Sequence, residues 1–321
     1  NIPMPLTELS FLGLVSTALI TALLISFVAT PVVKSLAQKV GAVDVPKDGR
    51  RMHDHPIPRM GGLAIFLGFT LAVLVFADLT RQLQGMLLGA VIIVVLGIFD
   101  DIYALRASFK FVVQIIAALV AVLYGGNVIS VLSNPNIFSS NPWWVLGPLS
   151  IPVTVLWIVA ITNAVNLIDG LDGLAVGVST ISSMTLLVIA LTVADWEVAV
   201  LMGALAGACI GFMPYNLNPA KIFMGDTGSL ALGGFIGAVA VLSGLELLIP
   251  IMGIMFVLSA LSDIIQVLHY KRTKKRIFLM APLHHHFEQK GVHENRIVVV
   301  YIVITAAVSL CVLATILSVG I

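Results

Sequence analysis

Five short stretches of this chain carry side chains able to do chemistry, and carboxylates dominate them. Phe99-Asp100-Asp101 closes an apolar block. Successive helical residues point about 100° apart, so the two carboxylates are expected to do different work. One could bind a metal or position a phosphate while the other accepts a proton. A solvated helix end is the plain reading, but an acidic pair at a helix C-terminus opposes the helix dipole. The second stretch sets Asn163, Asn166, Asp169 and Asp172 at every third position among apolar residues. On an unbroken helix such a row drifts by about 60° per step, which would leave Asn163 and Asp172 on opposite faces. Gly170 and Gly173 suggest an unwinding that could return the four groups to one site.

The third stretch runs from Lys221 through Phe223, Gly225, Asp226 and Thr227 to Ser229, at the head of an apolar block. Free backbone N–H groups at a helix start suit phosphate. Asp226 either caps that helix or ligates Mg2+, a hard ion usually held by one or two carboxylates plus substrate phosphates. Phe223 is either core or a stacking platform for a base. In the fourth, His284, His285 and His286 precede Phe287 and Glu288, with Lys271, Arg272, Lys274, Lys275 and Arg276 close by. Three successive histidines are poorly disposed to chelate one metal. Phosphate or sugar contact is the expectation, against a plain solvated run. The fifth, His53 to Gly62, uses Pro56 and Pro58 to fix an extended approach. Its Arg59, with Arg51 and His53, could touch phosphate or anionic lipid headgroups.

The elements that must position these groups are set by composition. The chain has 321 residues, 59% of them hydrophobic and 10% charged; soluble domains run about 45–50% apolar and about 25% charged. A water-soluble globule is excluded. The apolar residues fall into ten blocks, at about 9–30, 61–79, 85–99, 107–124, 147–163, 172–194, 197–217, 228–243, 246–268 and 297–320. Crossing a bilayer takes about 20 helical residues. The expected fold is all-α: a single polytopic membrane domain over residues 1–321 with about ten transmembrane helices. Every Lys and Arg except Arg81 lies in, or at the edge of, the loops after odd-numbered blocks. Such an excess marks the cytoplasm and predicts that both termini are extracytoplasmic. All the histidines and Asp100, Asp101, Asp169, Asp172 and Asp226 fall on that same side. Carboxylates at a membrane boundary are costly and functional by default. Cys209 and Cys311 both lie in apolar blocks and form no metal or disulfide pattern.

Taken in order over roughly residues 40–300, the stretches resemble the polyprenyl-phosphate N-acetylhexosamine-1-phosphate transferase superfamily. Met280 to Glu288, followed by Gln-Lys-Gly, is similar to its phospho-MurNAc-pentapeptide transferase branch. Residues 54–62 look instead like the GlcNAc-1-phosphate transferases, and Asp54 stands where the first branch carries a lysine. The histidine loop decides for the first branch. The resemblance implies UDP-MurNAc-pentapeptide as donor and undecaprenyl phosphate as acceptor, both met at the inner face of a bacterial plasma membrane. The products would be lipid I and UMP. It implies Mg2+ on Asp226, Asp100 as general base and Asp101 in support, with a covalent phospho-aspartate as the rival route. Asn166, Asp169, Asp172 and Phe223 resemble uridine-side residues, and Lys110, His285 and His286 would touch phosphate or sugar. Asn163, Gly225 and His284 complete the expected substrate-binding set. A homodimer surrounded by membrane lipid is implied, with no nucleic-acid partner. The alternatives are the sister GlcNAc-1-phosphate activity and, in another class, a transporter. Transporter sites lie near the bilayer midplane and often between repeated halves; no repeat is visible here.

Overall fold

Away from water, a backbone must satisfy its own hydrogen bonds, and helices do so within one segment. In the computed structural model, which describes residues 8–45, 56–133 and 143–319, the chain is mostly helical. Its helices are α1 (Glu8–Val40), α2 (Gly62–Phe76), α3 (Arg81–Tyr103), α4 (Ala107–Gly125), α5 (Ser150–Ile168), α6 (Leu174–Thr192), α7 (Trp196–Asn216), α8 (Gly225–Ser243), α9 (Ile249–Met252), α10 (Ile254–Thr273), α11 (Leu283–Gln289) and α12 (Glu294–Val319). Among the described residues nine helices are long and apolar enough to cross a membrane, and α2, with 15 residues, is a shorter apolar helix. Nine of the ten apolar blocks therefore hold one helix each, α2 included, and the block at 246–268 holds two. Arg51, His53, Asp54 and His55 lie outside the described residues.

Burial separates centre from rim. The spans α6, α7 and α8 are 78%, 78% and 83% buried, whereas α1, α4, α10 and α12 are only 22–28% buried. The rim helices turn Val28, Val32, Leu123, Leu268 and Leu310 outward. Outward apolar side chains are what a lipid solvent selects. Two antiparallel ribbons complete the molecule: β1 (Val43–Asp44) with β2 (Ile57–Pro58), and β3 (Val131–Ser133) with β4 (Trp143–Val145).

Several helices differ from the apolar blocks for identifiable reasons. α3 begins at Arg81 rather than near 85, because Thr80 caps it by accepting from the Leu83 N–H at 3.2 Å, and Arg81 Nε donates to the Tyr124 carbonyl at 2.7 Å. Polar residues satisfied in this way extend a span that hydropathy cuts short. α1 runs on through Pro31 to Val40. The block at 246–268 is broken at Gly253 into α9 and α10, and α10 continues to Thr273. The glycine-marked unwinding lies after Ile168: α5 is helical through Asn163 and Asn166, and the chain leaves helix at Asp169.

Candidate active site

The site begins with a helix that has no cap of its own. No side chain of the preceding residue bonds the first turn of α8, yet its N–H groups must find acceptors. Asp101, reaching from α3, supplies them. Its Oδ1 accepts from the Asp226 N–H at 3.0 Å, and its Oδ2 accepts from the Thr227 N–H at 3.0 Å and the Thr227 hydroxyl at 2.6 Å. A fully buried carboxylate is thereby placed at the positive end of a helix dipole. Gly225 makes the approach possible. Its φ is +70°, and a Cβ there would stand 2.5 Å from Asp101 Oδ2.

Asp100 points elsewhere. Its Oδ1 accepts from the Leu105 N–H at 2.7 Å, which ties down the turn leaving α3. Its Oδ2 meets Lys110 Nζ at 2.9 Å, and the same ammonium reaches Asp226 Oδ2 at 2.7 Å. The other Asp226 oxygen accepts from Asn166 Nδ2 at 3.1 Å, and that amide also reaches Ser229 Oγ at 2.8 Å. Four helices thus converge through one hydrogen-bonded chain: α3, α4, α5 and α8. Beside it stands Arg59, whose Nε is 3.5 Å from Asp101 Oδ1.

Asp169, just past α5, is half-buried and unlike the others. Burial, reinforced by the Asp226 charge, pushes its carboxyl up to about 8 despite Arg59 nearby. Asn163 lies one turn deeper, where its Nδ2 donates to Gln114 of α4 and to the Val159 carbonyl. Asp172 braces loops: its Oδ2 accepts from the Ala220 N–H at 2.9 Å and Asn218 Nδ2 at 3.2 Å, while its own N–H donates to Glu294 Oε1 at 2.7 Å. Phe223 is pinned by its backbone, donating to the Pro58 carbonyl at 2.8 Å and accepting from the Gly61 N–H at 2.9 Å; its ring is half-buried. The structure therefore joins Asp100, Asp101, Lys110, Asn166 and Asp226 directly and sets Asp169 beside them. It gives Asn163 and Asp172 other hydrogen-bond partners.

Comparison with known proteins gives this cluster its setting. The model of glycosyl transferase family 4 matches residues 83–244, the segment that holds every one of those six residues. The chain belongs to that family. Among full-length relatives, the phospho-N-acetylmuramoyl-pentapeptide-transferase of Clostridium beijerinckii is 39% identical over 90% of this chain and 92% of its own length. The enzyme of the same name from Acetivibrio thermocellus is 36% identical over 98% and 96%. A probable undecaprenyl-phosphate N-acetylglucosaminyl 1-phosphate transferase of Bacillus subtilis is 45% identical, over 70% of this chain and 62% of its own.

The histidine triplet falls beyond the family match, on the short helix α11. Its three rings have three different settings. His284 is fully buried with its Nε2 against Gly170, and neither ring nitrogen has a hydrogen-bond partner. Burial, and then His285, push its pKa down to about 3, so this ring is neutral. His285 is held through Nδ1 by Glu288 Oε2 at 2.8 Å. His286 Nδ1 accepts from the Leu279 N–H at 3.1 Å and so folds the loop. His284 and His285 therefore abut the Asp169–Gly170 turn.

Gln114, Asn216, Asn218 and Glu294, which belong to no motif in the sequence, support the site from one layer out. Gln114 was the most findable, because it lies four residues after Lys110, on the same face of α4. Thr227 and Ser229 stand out in the sequence only as members of the stretch from Lys221 to Ser229. Among the described residues no group of three or more Asp, Glu, His or Cys forms a metal cage. Asp100 and Asp226 nevertheless each direct an oxygen at one ammonium, so a cationic position already exists between two carboxylates. That suits an ion that takes one or two protein ligands and completes its shell from phosphate and water.

Proposed function

We propose that the protein transfers phospho-MurNAc-pentapeptide from UDP-MurNAc-pentapeptide to undecaprenyl phosphate, forming lipid I and UMP on the cytoplasmic face of a bacterial plasma membrane. The observation that carries this reading is a set of relatives of that name matched over nearly the full length of both chains. It is supported by four helices whose ends bring acidic groups, Lys110 and Asn166 to one boundary of the bundle.

In the reaction an oxygen of the acceptor phosphate attacks the sugar-side phosphorus of the donor. The bond to the bridging oxygen breaks, and UMP leaves with the electron pair. Catalysis of such a transfer is chiefly positioning and charge neutralisation. Asp100, hydrogen-bonded to Lys110 at the edge of the cluster, would take the remaining proton of the acceptor phosphate. Lys110 is placed to move from the carboxylates to phosphate oxygens. Asp101 holds the head of α8, and with it the Asp226 carboxylate, in place. Asp226, with Asp100 beside it, would hold Mg2+, which when bound neutralises the diphosphate and draws charge onto the leaving group. Asn166 orients Asp226, and Asp169 with Phe223 supplies a donor and a face for the nucleotide.

A second reading, transfer of GlcNAc-1-phosphate, is favoured by the Bacillus relative and by Pro56-Ile57-Pro58-Arg59. Purified protein, undecaprenyl phosphate and Mg2+ should release UMP from UDP-MurNAc-pentapeptide and little from UDP-GlcNAc. Exclusive use of UDP-GlcNAc would move the protein to the sister activity. Solute passage without UMP release would make it a transporter.

A further inference from the structure

Arg59 is a cation whose position is fixed more firmly than its side-chain contact with Asp101 requires. Its N–H donates to the Ala42 carbonyl at 2.9 Å. On its two sides, Pro58 accepts from the Phe223 N–H at 2.8 Å, and Gly61 and Gly62 donate to Phe223 and Met224 at 2.9 Å each. The segment is stitched on one edge to β1 and on the other to the approach to α8. It carries the guanidinium into the acidic cluster and away from the lipid-facing rim.

Asp101 has hydrogen-bond partners besides that guanidinium. It already accepts three hydrogen bonds from Asp226 and Thr227. The Arg59 contact, at 3.5 Å, is longer than the about 2.7–2.9 Å of a charge-assisted hydrogen bond. A guanidinium offers five N–H donors in a planar fork, matched to phosphate. The side chain is 35% exposed, so a ligand can reach it. Lys110 approaches Asp226 at its carboxylate, whereas Arg59 stands by the oxygen that binds the Asp226 amide. The two cations flank Asp226. Three carboxylates (Asp100, Asp101 and Asp226) stand around them, and an anionic ligand entering such a field needs both.

We propose that Arg59 grips the diphosphate of the donor, exchanging its loose approach to Asp101 for phosphate oxygens. This rests on the reading above that the donor is a UDP-linked sugar. The test is equilibrium binding of UDP and UMP, in the presence of Mg2+, to the purified full chain, with Arg59→Gln and Arg59→Lys as variants. Arg59→Gln should weaken UDP by roughly ten- to a hundredfold and UMP by clearly less, with thermal stability held. Arg59→Lys keeps the charge but loses the fork, and should fall between. UDP binding unchanged in Arg59→Gln would overturn the proposal. So would an equal loss for both nucleotides accompanied by a fall in Tm, which would make Arg59 a brace for Asp101. UDP binding by the unaltered protein without UMP release from either sugar nucleotide would remove the proposed reaction and leave the Arg59 measurement standing.

Discussion

At the scale of single residues, Asp169 makes the sharpest claim on pH. Its carboxyl is pushed up to about 8 by burial and by Asp226, above the about 3.9 of an unfolded chain. The folded state therefore binds this proton more tightly than the unfolded state does. Where that holds, stability falls as pH rises, and the loss is complete once pH exceeds the folded value. Melting of the detergent-purified protein should weaken as pH rises from about 4 to about 8 and level off above that, with Asp169→Asn flattening the slope; parallel curves would show that Asp169 is ionised throughout. Other residues were legible to different degrees. The divergence of Asp100 and Asp101 follows from helix geometry alone, and the structure sends one to Lys110 and the other to α8. The separate fates of Asn163 and Asp172 were hidden. Their partners, Gln114, Asn218 and Glu294, stand 46 to 122 positions away in the chain, and nothing local announces them.

At the scale of elements, the site depends on how closely α3 and α2 approach α8. A Cβ at Gly97 would run into the Thr227 backbone, and one at Gly62 into Gly228. Asp101 can cap α8 only because one turn earlier α3 lies against it with no side chain between them. Gly97→Ala should force the helices apart, costing about 1–3 kcal/mol as overpacking does, and should lower both Tm and turnover. Gly13→Ala, where a Cβ would meet nothing within 4 Å, is the matched control. Equal behaviour of the two variants in a thermal melt would show that the contact has no such role. Hydropathy located these helices well, because lipid exposure and burial both select apolar residues. It was weakest at the ends. α3 starts in polar residues that bond to neighbours, and the ribbons are too short to leave a period-2 pattern. At about 1.5 Å per residue, the 15 residues of α2 reach only about 22 Å. That shortness is tolerable because α2 sits inside the bundle, beside α1, α7 and α8.

At the scale of the whole molecule, the ends of odd-numbered and the starts of even-numbered spans gather at one boundary, and hydrogen bonds stitch them together. Arg59 bonds Ala42, Gly61 bonds Phe223, Asp172 bonds Glu294 and Gly173 bonds Asn216. Among the described residues the opposite boundary holds less chemistry: the Thr80–Glu197 and Arg81–Tyr124 contacts and the exposed Trp143 and Trp144 are its main polar and aromatic features. A soluble nucleotide donor and a lipid-borne acceptor can meet only where water and bilayer adjoin, so the proposed reaction requires the stitched boundary to face the compartment that holds nucleotides. The charge pattern favours that orientation, since all the described Lys and Arg residues but Arg81 lie at that end. The orientation can be read directly with a membrane-impermeant maleimide on a background in which the exposed Cys311 is replaced by Ser. Lys274→Cys should label in inside-out vesicles and stay silent in intact spheroplasts, and Asn127→Cys should do the reverse. The opposite pattern would put Asp100, Lys110 and Asp226 on the wrong side for a cytosolic donor. No rearrangement within the site could then restore the reaction, because its two substrates would be separated by the membrane itself.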